Sequence, residues 1–143
     1  MNKETNQLAS ILNINSHPID KPDYRAECKS TLDEDGVLVL NNFLLNDSIR
    51  SILEEAKRQE NLAYYCINEH NVYLEPFDTK YKKSHPRNRT VVSSKGCITD
   101  DQVPSDSSLR GLYDSTDFKG FLCDVLDEKA LYKYDDNLSS INI

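Results

Sequence analysis

Apolar residues recur at helical spacing in several stretches of the chain and run together in one. Tyr24, Cys28 and Leu32 fall at i, i+4 and i+8, behind Pro22 and ahead of Gly36. Proline suits the first turn of a helix and glycine the position just past its end, so a helix is expected over 22–35. Val37-Leu38-Val39-Leu40 is too short for a helix and is expected as a buried strand, broken by Asn41-Asn42. Asn46 or Asp47 offers an N-cap. Ile49, Ile52, Leu53 and Ala56 then repeat at helical spacing among charged residues, which predicts a helix from 47 to about 59 or beyond.

The second half leans toward strands before it returns to helices. Tyr64, Tyr65, Ile67, Val72, Tyr73, Leu74 and Phe77 favour β-structure, and Pro76 ends any central strand there. Thr90-Val91-Val92-Ser93-Ser94 reads as a strand closed by Gly96. Ser107 or Ser108 can start a short helix carrying Leu109, Leu112 and Tyr113. Asp117 can begin another, with Phe118, Phe121, Leu122, Val125 and Leu126 on one side. Over 138–143, Ser140 and Asn142 alternate with Ile141 and Ile143, the pattern of a strand stopped in mid-course. Residues 1–20 are polar around a weak cluster of Leu8, Ile11, Leu12 and Ile14, and are expected as a loosely held arm with one helical turn. The pattern gives an α+β domain over 21–143 behind a flexible arm at 1–20.

Composition narrows the class. The chain has 143 residues, 38% apolar and 29% charged, with a net charge of −7. No stretch approaches the roughly 20 apolar residues of a membrane helix, and the N-terminus has no apolar secretory region. The expectation is a soluble, cytoplasmic protein. Cys28, Cys66, Cys97 and Cys123 form no C-x-x-C and are expected as reduced, mostly packed thiols. The sequons at Asn46, Asn88 and Asn137 are then chance matches. The charge is uneven: residues 80–95 carry six bases and no acid. Such a block reads as a solvated loop or as a contact for an anionic ligand. With only Tyr81 aromatic there and no glycine-rich or repeated arginine pattern, nucleic acid is not expected.

Direct tests for chemistry find little. His17, His70 and His85 stand in no H-x-H, H-E-x-x-H or H-x-D pattern, and each is expected as structural or solvated. No nucleophile elbow, dinucleotide fingerprint or phosphate loop is present. Asp100-Asp101 is a candidate for acid–base work, although adjacent carboxylates usually point apart.

One resemblance gives this pattern a family. Asp35-Gly36-Val37-Leu38-Val39-Leu40-Asn41-Asn42-Phe43-Leu44 and the helix after it resemble the opening of phytanoyl-CoA dioxygenase-like proteins. These are non-haem Fe(II)/2-oxoglutarate-dependent oxygenases. His85-Pro86-Arg87-Asn88-Arg89, Ser93-Ser94-Lys95-Gly96, Asp100-Asp101-Gln102-Val103-Pro104, Leu109-Arg110, Leu112-Tyr113, Ala130-Leu131-Tyr132 and the closing residues 138–143 look like a microbial subgroup of such enzymes. The resemblance covers about 24–143. It implies a helical N-terminal layer and the first strands of a double-stranded β-helix, or jelly roll. It also implies that the H-x-D motif, the distal histidine and the basic residue for the cosubstrate would follow Ile143. The chain is thus expected to stop before its iron site, to hold no metal ligand and no catalytic residue, and to bind no cofactor alone. Fe(II) and 2-oxoglutarate belong to the full-length family. By position, Lys95, Ser140 and Asn142 are the cosubstrate-binding candidates, and Arg87 and Arg89 could meet an anionic small-molecule substrate. The competing expectation is a noncatalytic interaction module, or one subunit of a split oxygenase. Its partner, the missing C-terminal half or another chain, would dock on the 138–143 strand edge.

Overall fold

The structure is a computed structural model that describes residues 8–136, 138 and 140–143. Its elements are α1 (Pro22–Asp35), α2 (Asn46–Gln59), β1 (Tyr64–Asn71), β2 (Thr90–Cys97), α3 (Ser108–Asp114) and α4 (Thr116–Leu126). The fold is α+β: a helical layer and an antiparallel two-stranded ribbon. No helix among the described residues is long and apolar enough to cross a membrane.

The helical layer forms where the sequence pattern places it. Pro22 opens α1, and Gly36 closes it in the left-handed region (φ 69°), its N–H donating to the Leu32 carbonyl. Cys28 on α1 is buried against Phe121 and Val125 on α4, and Arg25 ties the two helices through a 2.7 Å ion pair to Asp124. Ser107 caps α3 by accepting from the Leu109 N–H, and Ser115 caps α4 by accepting from that of Phe118. The start of α2 differs from expectation. Leu45 is its N-cap and no side chain closes the cap, while Asp47 lies within the first turn.

Three expectations are corrected. The part of the arm that the structure describes, residues 8–20, is core rather than loose tail. Leu8, Ile11, Leu12 and Ile19 are buried with Cys28, Phe121 and Val125, and Leu12 retains only 1% of its exposure. Backbone bonds from Asn13 to Phe43 and from Leu45 to Ile11 hold this segment beside the chain that enters α2. Four apolar side chains outweigh the polar residues between them: Ser10, Asn15 and Ser16 face outward, and His17 is buried with its ring nitrogens paired. Residues 1–7 of the arm lie outside the described residues.

Residues 37–40 are not a buried strand. No neighbour among the described residues pairs with them, and Val37 and Val39 face solvent. Nor do residues 138 and 140–143 form a strand; Ser139 lies outside the described residues. Ile141 is buried, and Ser140 turns back to donate to the carbonyls of Tyr134 and Asp136. Ile143 exchanges both backbone bonds with Ile98 at 2.8 and 3.1 Å, and the Leu138 carbonyl accepts from the Asp100 N–H. Local hydrogen bonding by Ser140 competes with the extended ladder that alternation alone would favour.

Candidate functional site: one face of the ribbon

The register of β1 and β2 assigns the two faces of the ribbon. Tyr64 lies opposite Cys97, Cys66 opposite Lys95, and His70 opposite Val91. Directly opposed residues share a face, so Tyr64, Cys66, His70, Lys95 and Cys97 lie on one side. Tyr65 and Gly96 lie on the other, over a groove of about 410 Å³ bordered by Ala56, Ala63, Ile98 and Ile143.

The Ile98–Ile143 pair carries the C-terminal segment alongside the end of β2. It sets Asn142 against Cys97, whose thiol donates to the Asn142 Oδ1 at 3.1 Å. Asn142 therefore joins the face that holds Lys95. Lys95 is exposed, and no ion pair among the described residues engages it. An ammonium group, a carboxamide and the Tyr64 phenol on one face can receive a carboxylate by charge and hydrogen bonding. Ser140 does not join them, because its hydroxyl is committed to the two carbonyls of the preceding turn. Cys97 and Tyr64 went unnoticed in the sequence. The strand expected over 90–94 stops before Lys95 and Cys97, whereas β2 runs on to Cys97 and so puts these two residues on one face.

The basic block is a built loop rather than a loose one. Asn88 is its buried centre: its Nδ2 donates to the carbonyls of Asp78, Tyr81 and Lys82, and its Oδ1 accepts from the Asp78 N–H. Arg87 bonds Asp78 at 2.9 Å and lies over the rings of Tyr73 and Tyr81. Its guanidinium is thus engaged within the loop. Arg89 is exposed beside it, its backbone N–H held by the His85 and Pro86 carbonyls. The structure does not bring Arg87 or Arg89 to the Lys95 face by any contact.

The remaining candidates are occupied by structural bonds. Asp100 pairs with Arg110 at 2.9 Å, and Asp101 accepts from the Thr99 hydroxyl. Arg110 also donates to the carbonyls of Asp100, Val103 and Pro104, so the acids fasten the turn before α3. His85 accepts from the Arg87 N–H and packs on Tyr81. His17 is buried between Tyr24 and Asn41, and His70 lies on β1. All four cysteines are free thiols; Cys28 is buried and the others half-buried.

Among the described residues no group of three or more His, Cys, Asp or Glu side chains is placed to hold a metal ion. A facial iron site needs two imidazoles and a carboxylate on one metal, and the donor set present here does not fit it. Comparison of the chain with protein-family models, with curated proteins and with solved structures finds no match.

Proposed function

We propose that the chain is the N-terminal portion of a non-haem Fe(II)/2-oxoglutarate-dependent oxygenase. In this reading the ribbon supplies the first strands of a jelly roll, with the C-terminal segment held beside it at Ile98, and the helices are the layer behind it. The Lys95 face meets the carboxylate of 2-oxoglutarate, with Asn142 beside it. The reading places the protein in the cytoplasm and leaves metal chemistry to residues outside this chain. Its main support within the fold is the reciprocal Ile98–Ile143 pair, which lays residues 142–143 next to β2 and puts Asn142 on the side of Lys95. The rest is the resemblance of residues 24–143 to that family.

The deciding experiment reads the coding sequence downstream of codon 143 in all three frames. An H-x-D motif followed by a distal histidine, in frame or one shift away, supports the reading. Substitution of Lys95 by alanine in the extended protein should then raise the 2-oxoglutarate concentration needed for half-maximal turnover. Stoichiometric, high-affinity Fe(II) binding by the purified 143-residue chain would overturn the claim that iron chemistry lies outside it.

A second reading is a noncatalytic interaction module or one subunit of a split oxygenase. The ribbon favours it: Ile67 and Val92 are 73% and 70% exposed, on strands that touch little beyond one another. A second polypeptide that carries H-x-D and copurifies would distinguish the split enzyme from the simple module.

A further inference from the structure

Residues 37–40 have the alternation of a strand without its pairing. They belong to no helix or strand, and their N–H and C=O groups make no hydrogen bond among the described residues. Burial alternates along them. Leu38 and Leu40 pack on the core, whereas Val37 and Val39 remain 57% and 68% exposed. An unpaired backbone edge is a template for another strand. Beside it runs an apolar groove of about 400 Å³ between this segment and α4, lined by Leu38, Leu40, Phe118, Leu122 and Leu126 among others. Backbone edge and groove supply the two components of strand addition: hydrogen bonds for affinity and pockets for alternate side chains.

Charge selects the occupant. Asp33, Glu34 and Asp35 are exposed where the segment begins, and Asp127 and Glu128 are exposed just past Leu126 at the groove. Of the two bases beside these five acids, Lys29 is already engaged by Asp33 and Asp127, and exposed Lys129 leaves the rim acidic on balance. A second copy of the chain would bring the same acids to the contact, and like charges oppose it. We propose that residues 37–40 are a docking edge for an extended peptide segment of another protein. That segment carries apolar residues at alternate positions and lysine or arginine beside them.

The test uses the whole chain and a fluorescently labelled peptide of alternating valine and threonine with lysine at both ends, followed by anisotropy. Two further peptides carry N-methyl groups on alternate amides, one blocking each edge of the strand. Saturable binding is expected that weakens as salt is raised. One methylated peptide should lose at least about tenfold in affinity, roughly the loss of one or two hydrogen bonds, while the other retains it. V39K, at an exposed position, should weaken binding while leaving the circular dichroism spectrum unchanged. Absence of binding by the parent peptide overturns the proposal. So does equal binding by both methylated peptides, which would mean apolar contact without strand addition. Sedimentation showing a dimer that V39K disrupts would make a second copy the occupant and also overturn it.

Discussion

The Tyr24 hydroxyl and His17 Nδ1 share a 2.7 Å hydrogen bond within the helical layer, and His17 Nε2 lies 2.9 Å from the Asn41 carbonyl. A carbonyl only accepts, so Nε2 carries the proton it donates, and Nδ1 takes the proton of the Tyr24 hydroxyl. One imidazole thus joins the segment before α1, α1 itself and the turn after residues 37–40. Phe43 packs edge-on to the same ring, at 5.4 Å between centroids. Replacing His17 by alanine strands the Tyr24 hydroxyl and the Asn41 carbonyl. The expected loss is about 1–3 kcal/mol in all, since Asn41 is exposed to water and Tyr24 is only half-buried, read from urea unfolding. His17→Gln keeps a donor and an acceptor and should recover part of it.

Burial, with the Cys28 thiol next in weight, holds the Tyr24 phenol above its ordinary value of 10.0. The folded chain then binds this proton more tightly than the unfolded chain does. The stability this confers is complete below the unfolded value and is lost as pH rises above it. Urea midpoints should therefore fall between about pH 9 and about pH 11, and Tyr24→Phe should flatten that fall. An unchanged slope in Tyr24→Phe would assign the alkaline loss to other groups.

Leu12 tests the first segment as core. Leu12→Ala is expected to cost about 2–5 kcal/mol, the range for emptying a well-packed leucine site. A loosely held arm would show almost none of that loss, so the urea midpoint separates the two pictures directly.

Asn88 tests the basic loop. Its carboxamide nitrogen faces three carbonyls, and the loop has no apolar core of its own to compensate. Asn88→Ala leaves several groups unpaired and should expose residues 72–89 to limited proteolysis. Asn88→Asp should be worse than alanine, because it sets an acceptor with negative charge against those same carbonyls. Equal cleavage of the wild type and both variants would show that the loop does not depend on this side chain.

Gly96 lies under Tyr65. A Cβ on Gly96 would come within 2.6 Å of the Tyr65 ring. Gly96→Ala should displace the ring and cost about 1 kcal/mol, at the low end for overpacking because Tyr65 is largely exposed and can yield. Combined with Tyr65→Ala the cost should vanish, an interaction that a double-mutant cycle on thermal midpoints measures.

The helices were legible because their signals are local. Pro22 and Gly36 bracket α1 and Ser107 caps α3, whatever the rest of the chain does, whereas α4 is capped by Ser115 rather than begun at Asp117. The errors came where a distant partner decides the outcome. Val37-Leu38-Val39-Leu40 alternates in burial as a strand should, but a strand also needs a neighbour, and no local pattern announces one. Leu8, Ile11, Leu12 and Ile19 look sparse among asparagines, and only the arrival of Phe121 and Val125 makes them a core. For α2 the pattern was right and its use was not. The helix buries Ser48 and Glu55, while Ile49 and Leu53 on its apolar stripe remain exposed. At the candidate site, the family resemblance pointed to both Ser140 and Asn142 by their position. The structure sets Asn142 beside Cys97 and turns Ser140 onto carbonyls of the preceding turn, because a hydroxyl near carbonyls can bond locally.

The Arg25–Asp124 ion pair has a consequence for biosynthesis. Its partners are 99 residues apart in sequence, and the apolar contacts of α1 with α4 span a similar distance. At about 5–20 residues per second, a ribosome that has finished α1 needs on the order of 5–20 s to deliver α4. During that interval the nascent chain presents Leu12, Ile19 and Cys28 without their cover. The helical layer is therefore a late, all-at-once event in the life of the chain, and the interval before it is when a chaperone has most to hold.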